Sequence, residues 1–279
     1  NDLLSLYADG VLLGTLADTS GDISSGEDMW IGESTDETNT AMAGDMADIR
    51  IYNAALSEDQ IAAIYAPAGP SMVAHWPLND GAGTVAADVV GGNDGTLVGG
   101  VSWLADGGVS IDNVDGSHIE VAHADVLDFG DVDFSISMLI RYPAPPVDTD
   151  RWIIKGTHGA PGTGNRYEMF RGGDASVRFT IDNDAVGKSR LMIDNDAAGT
   201  SGEWIHLVAI RDAANDLMSL YADGVLLGTQ TDGSGDISSG EIMWIGESTD
   251  ETTTAMGGDM ADVRIYDAAL TEDDIAAIY

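Results

Sequence analysis

Residues 1–65 are written twice in this chain. Shifted by 214 positions they return as 215–279, and the two stretches differ at only eleven of 65 positions, among them Leu4 against Met218, Ile49 against Val263 and Ser57 against Thr271. Residues 66–214 occur once. An internal repeat of long period marks a unit of structure used more than once. The expected organisation is therefore one whole unit over 71–279, preceded by the C-terminal part of another over 1–65. Between them Ala66-Pro67-Ala68-Gly69-Pro70 forms a short, stiff linker, with two prolines in five residues. Part of a unit exposes one apolar face and unpaired strand edges, so 1–65 is expected to be completed from outside itself. An adjacent repeat or another chain could supply the missing part, and head-to-tail completion between chains generates an open filament.

Within each copy the local signals are clear. The β-rich runs 3–7 and 11–13 flank Asp9-Gly10, a dipeptide suited to the positive φ of a hairpin turn, and 217–222 and 225–229 repeat the pattern. Short strands are expected around 29–31 and over 46–52. Ser57 with Gln60 forms a capping-box pattern that opens a short helix, and Thr271 and Asp274 open its counterpart. Through the single-copy region, strands are expected at 72–78, 95–101, 109–111, 118–121, 134–142, 152–155, 166–170, 177–181, 191–193 and 204–211. Over 134–142, Phe134, Ile136, Met138 and Ile140 alternate with Ser135, Ser137, Leu139 and Arg141, as in a strand buried on one face. Many short strands with almost no helix indicate an all-β antiparallel sandwich.

Composition narrows the partners. With 44% hydrophobic residues the chain can bury a core, and it has no apolar run of the roughly 18 residues that a membrane helix needs. There are 48 acidic against 11 basic residues, a net charge of −37. That argues against nucleic acid and anionic membranes, whose binding rests on lysine and arginine. It fits a surface kept soluble in salt, or aspartate-bearing loops that hold calcium. The absence of cysteine points to a prokaryotic surface protein stabilised by its core rather than by disulfides.

The stretches 73–103 (VAHWPLNDGAGTVAADVVGGNDGTLVGGVSW), 115–121 (DGSHIEV), 133–142 (DFSISMLIRY), 202–212 (GEWIHLVAIRD), 220–229 (LYADGVLLGT) and 260–279 (MADVRIYDAALTEDDIAAIY) succeed one another in a family order. Together they resemble a laminin-G-like domain of the concanavalin A-like jelly-roll superfamily. The resemblance implies two curved antiparallel sheets packed face to face and a concave face or rim loops that often bind carbohydrate or protein, while the capping patterns add a short C-terminal helix in each repeat. It also implies one structural calcium ion pinning the first strand to the last. Mapped onto this chain, the expected ligands are Asp88 and Asn93 in the loop after the first strand, Asp262 (equivalent to Asp48) in the last strand, and Asp115. Calcium takes 6–8 oxygens, so backbone carbonyls would complete the shell.

Other constellations point elsewhere. Related glycosidases carry Glu-x-Asp-x-(x)-Glu on one strand to set two carboxylates across a sugar bond, and no strand here has that pattern. Asp131 and Asp133 read as turn aspartates. His75, His118, His123, His158 and His206 are scattered, without zinc spacing, and read as framework histidines. Asp182-Asn183-Asp184 and Asp194-Asn195-Asp196 lack the glutamate that a calcium-binding EF-hand loop needs at its twelfth position, which holds Ile193 and Ile205, so they read as hairpin ends. Trp152, Tyr167 and Trp244 are the candidate sugar-stacking rings. The expected function is non-enzymatic: an extracellular repeat protein acting in adhesion or as a structural filament through self-association. The alternative is a carbohydrate-binding module of a larger secreted protein.

Overall fold

The structure, a computed structural model, describes residues 3–8, 11–21, 24, 26, 29–32, 42–46, 49–65, 70–142, 149–157, 164–183, 187–193, 202–249 and 254–279. The Asp9-Gly10 turn, Asp48, residues 66–69 of the linker, His158, Asp184 and Asp194-Asn195-Asp196 lie outside the described residues. The chain divides into two compact units, 1–69 and 70–279.

The larger unit is an antiparallel sandwich. Its strands in chain order are β3 (Met72–Trp76), β4 (Val85–Ala86), β5 (Gly95–Val98), β6 (Val101–Trp103), β7 (Val109–Asp112), β8 (His118–Val121), β9 (Phe134–Arg141), β10 (Asp150–Gly156), β11 (Arg166–Arg171), β12 (Val177–Asn183), β13 (Gly187–Ile193), β14 (Ile205–Asp212), β15 (Leu217–Ala222), β16 (Val225–Thr231), β17 (Met243–Ile245) and β18 (Gly257–Tyr266), before helix α2 (Glu272–Ile278); β1, β2 and helix α1 belong to the smaller unit. One sheet runs β13-β12-β11-β10-β17-β8-β5-β4 and the other β16-β15-β14-β9-β18-β7-β6, with β3 paired to β18. Every pairing is antiparallel. This is the jelly-roll architecture expected from the sequence.

The core lies between the sheets, where Phe134, Ile136, Met138 and Ile140 of β9 meet Met169, Phe179, Ile181, Met243 and Ile245 of the facing strands. The alternation along β9 holds, yet Ser135 and Ser137 are buried as well. Their face is roofed by a second apolar cluster of Val208, Ile210, Tyr221, Tyr266, Leu270 and Ile275, the last from α2. Ser135 Oγ is tied into that roof, donating to the Ala268 carbonyl at 2.7 Å and accepting from Leu270 N at 3.0 Å. Helix α2 opens on the expected capping box, with Thr271 and Asp274 each bonding the other's backbone N–H. At the β15–β16 turn, Asp223 and Gly224 have φ of 47° and 74°, the positive pair that the Asp-Gly signal requires.

In the smaller unit the same words fold only in part. β1 (Leu3–Ala8) and β2 (Val11–Ala17) form a two-stranded hairpin, and α1 (Glu58–Tyr65) opens on Ser57 and Gln60, which bond each other's backbone N–H at 2.9 and 3.2 Å. The expected strands at 29–31 and 46–52 are absent among the described residues, whereas their equivalents are β17 and most of β18. The physical reason is pairing: β17 sits between β10 and β8, and β18 between β9 and both β3 and β7, all contributed by 70–214. Burial follows the same rule. Leu6 is 66% exposed while its equivalent Leu220 is 0% exposed, and Ile51 is 74% exposed while Ile265 is 0% exposed.

This contrast yields an internal control. Leu220→Ala is expected to destabilise the larger unit by about 2–5 kcal/mol, the range for a buried leucine. Leu6→Ala, an identical substitution in the other copy, is expected to leave unfolding in urea unchanged at dilutions where the chain is monomeric.

Candidate functional site

The four residues expected around calcium fall into three places. Asp88 and Asn93 share the loop after β3, where Asp88 is nearly fully buried. Its Oδ1 accepts the N–H groups of His75, Val90 and Gly91 at 2.8, 3.1 and 3.0 Å, and its Oδ2 accepts the backbone and side-chain N–H of Asn93 at 2.9 and 3.0 Å. Five donors thus converge on one carboxylate. Burial raises the Asp88 pKa, but the N–H groups of His75, Asn93, Gly91 and Val90 outweigh it and hold the carboxyl below its ordinary value. The Asn93 carbonyl accepts the Trp76 indole N–H at 2.9 Å, fastening the loop to the core. Asp262 stands on a bulge of β18 with φ of 51°. Its carboxylate takes a two-pronged bond from Arg264 at 2.9 and 2.6 Å and lies 2.7 Å from His75 Nε2. Asp115 belongs to the exposed β7–β8 turn.

These residues do not make a calcium shell as they stand, because the oxygens of Asp88 are engaged by N–H donors. Among the described residues no group of three or more His, Cys, Asp or Glu side chains is placed to hold a metal.

A different constellation occupies the outer face of the sheet from β8 to β13. Register alone builds it: Glu120, Trp244, Ile154, Glu168, Thr180 and Arg190 pair successively across β8, β17, β10, β11, β12 and β13, forming one row. A flanking row holds Arg151, Phe170, Arg178 and Met192. The opposite faces of β11 and β12 carry Tyr167, Met169, Phe179 and Ile181 into the core. Arginines crowd this outer face. Arg166 bridges Glu168 and Asp182 at 3.5 and 2.8 Å, Arg151 reaches Glu168 at 2.9 Å, and Arg178 pairs with Asp174 at 2.6 Å. The guanidiniums of Arg151, Arg178 and Arg190 lie 3.9, 5.4 and 5.6 Å from the centre of the Phe170 ring. Towards the other end of the row, Trp244 stacks on His118 at 3.7 Å, and His118 Nδ1 lies 3.0 Å from the buried Glu247. The Trp244 Nε1 and His118 Nε2 atoms are buried and have no hydrogen-bond partner among the described residues.

Comparison with known proteins gives the sandwich a lineage. The family profile described as the concanavalin A-like lectin/glucanases superfamily matches residues 1–62 and 113–276. The chain belongs to this superfamily. No sequence match to a curated protein was found. Among solved structures, the binding domain of Paraclostridial Mosquitocidal Protein 1 superposes with a TM-score of 0.60 at 13% identity over 74% of this chain and 51% of that one. The Botulinum Neurotoxin serotype G binding domain gives 0.58 at 16% identity over 75% and 50%, and the serotype D binding domain 0.57 at 16% identity over 75% and 51%. The chain thus spans about half the length of these neighbours, and at such identities the likeness is one of fold.

Several sequence readings resolve within the superfamily fold. Trp152 and Tyr167 are core residues, their polar atoms donating to Tyr142 Oη at 2.8 Å and the Leu127 carbonyl at 3.0 Å, so neither offers a ring to a sugar. Trp244 alone of the three faces outward. Asp133 accepts the N–H groups of Ala213 and Ala214, a turn role as expected, and Asp182 and Asn183 end the β12–β13 hairpin. Ser137 Oγ and His206 Nε2 are 2.7 Å apart, but both residues are buried, and among the described residues His206 Nδ1 has no hydrogen-bond partner. The arginine face was missed from sequence. Its signal was present: seven of the eleven basic residues of this acidic chain lie between Arg151 and Arg190.

Asp88→Asn is expected to cost about 1–3 kcal/mol at neutral pH, because the amide cannot accept all five donors. With its folded pKa below 3.8, the carboxyl contributes stability that is complete above that value and is lost as pH falls through the folded pKa. The penalty in urea unfolding should therefore shrink on acidification below pH 3.8. Thermal melting is expected to be the same in EDTA and in millimolar calcium; a calcium-dependent rise abolished by Asp262→Asn would reinstate the metal site.

Proposed function

We propose that this chain is a non-catalytic binding and assembly module of an extracellular repeat protein, in which a segment equivalent to 1–65 is completed by the counterpart of 70–214 from another copy. One observation carries the reading: nearly identical residues are exposed in 1–65 and buried in 215–279, where the covering strands come from 70–214. Leu4, Leu6 and Leu16 line an apolar hollow on the β1–β2 hairpin. In the larger unit, the strand equivalent to β1 is held by β14. Completion between copies is heterologous, so it propagates as a filament or array, which suits adhesion or mechanical linkage. The test is light scattering of 1–279 against 70–279 across a concentration series. The longer chain should associate, the shorter should remain monomeric, and Leu6→Asp should abolish association. A chain that stays monomeric throughout, with amides of 3–17 exchanging freely, would sink the proposal.

A second reading, carbohydrate binding within a larger secreted protein, is favoured by the half-buried Trp244, the one candidate ring outside the core, although its ring also stacks on His118. Retention of 70–279 on a glycan array without assembly of 1–279 would favour it over the first.

A further inference from the structure

The first copy of the repeat keeps uncovered a turn that the second copy gives to a buried arginine. In the second copy Arg211 of β14, fully buried, donates from Nε to Asp232 Oδ2 at 2.7 Å. Its terminal nitrogens donate to the Gly130 and Gly235 carbonyls and to Ser234 Oγ at 2.7, 2.5 and 3.5 Å. Of these acceptors Asp232, Ser234 and Gly235 belong to the segment that repeats 1–65, and their equivalents are Asp18, Ser20 and Gly21. The uncovered turn has the same shape. Asp18 Oδ1 accepts the Ser20 N–H and hydroxyl at 2.9 and 2.5 Å, as Asp232 Oδ1 does from Ser234, and φ is 71° at Gly21 and 70° at Gly235. Thr19 replaces Gly233 within the turn and is accommodated, because a Cβ at Gly233 meets nothing within 4 Å. A second carboxylate follows the same pattern: Arg141 of β9 holds Asp259 at 2.8 Å, while its equivalent Asp45 is exposed. Both arginines come from 70–214, the block that occurs once, and among the described residues neither Asp18 nor Asp45 is in ion-pair contact with a cation.

We infer that 1–65 is a second closing segment for the 70–214 block of another chain, seated by Asp18 on that chain's Arg211. This rests on the proposed completion between copies and names the contact that steers it. Each Arg211 is held by the Asp232 of its own chain, so docking is an exchange between near-identical ligands. Anything that weakens 215–279 tips the balance towards 1–65. The turn already has its docked shape, so little ordering entropy is lost when it seats. A segment without the aspartate would leave a buried guanidinium unpaired, a cost of the kind that rejects wrong partners. Asp45 meeting Arg141 adds a second point and fixes the register of the strand equivalent to β18, where Asp259 pairs with Arg141.

The experiment is hydrogen exchange and sedimentation velocity of the 1–279 chain carrying Leu220→Asp, which places a charge in the core and cripples 215–279. Amides of 3–17 should gain protection at least about a hundredfold over the parent, those of 217–231 should lose it, and the particle should exceed a monomer. Adding Asp18→Asn, which keeps a turn-forming side chain and removes the charge, should lower the gained protection at least about thirtyfold. Asp18→Asn alone should leave urea unfolding of the larger unit as in the parent. Ser20→Ala, which removes only the hydroxyl bond within the turn, should lower the gain less than about fivefold. A loss equal to that of Asp18→Asn would assign Asp18 to the local turn and overturn the inference. Protection of 3–17 that survives Asp18→Asn would overturn it and leave completion between copies standing. A particle of monomer size, or amides of 3–17 that stay unprotected, would remove both.

Discussion

A β-sheet with one apolar face is stable only when that face is covered, and this chain performs the demonstration on itself. The words of 215–279 become β15 to β18 and α2 because 70–214 supplies β14 beside β15, β10 and β8 beside β17, and β9, β3 and β7 beside β18. The words of 1–65 retain a hairpin and a helix while Met29, Ile31, Ile49 and Ile51 remain exposed. Burying a single such side chain is worth about 1.5–3 kcal/mol, so loss of the covering layer outweighs any local preference for strand.

What survives in both copies is what neighbours in sequence can do alone. Asp18 accepts the N–H and hydroxyl of Ser20 at 2.9 and 2.5 Å, and Asp232 accepts those of Ser234 at the same distances. In the second copy the turn is locked further, because Arg211 of β14 reaches Asp232 at 2.7 Å and also bonds the Gly130 and Gly235 carbonyls. The two helix caps behave likewise, both formed from residues three apart. Short-range bonds cost little chain entropy to close, whereas pairing across the sandwich must first bring distant segments together.

The candidate site was less legible than the fold. Asp88 and Asn93 were found as special residues in a special loop, and they are, but their chemistry is to saturate one another and the loop backbone. Asp262 was assigned to the corner where the first and last strands meet, and it sits there with His75 of the first strand and Arg264 of its own. The row of Trp244, Ile154, Glu168, Thr180 and Arg190 escaped notice because its members come from five strands, and the order β17-β10-β11-β12-β13 is not the order of the chain.

By itself the sequence determined the elements whose causes lie within a few residues: the Asp-Gly hairpin, the capped helices, the alternation of β9 and the repeat that ties the two ends of the chain together. Tertiary structure decided which copy of a nearly identical stretch is buried, why both faces of β9 are covered, and which side chains share the row from β17 to β13. Periodicity and capping are carried by covalent neighbours. Burial and charge balance depend instead on segments that meet only when strands far apart in the chain lie side by side.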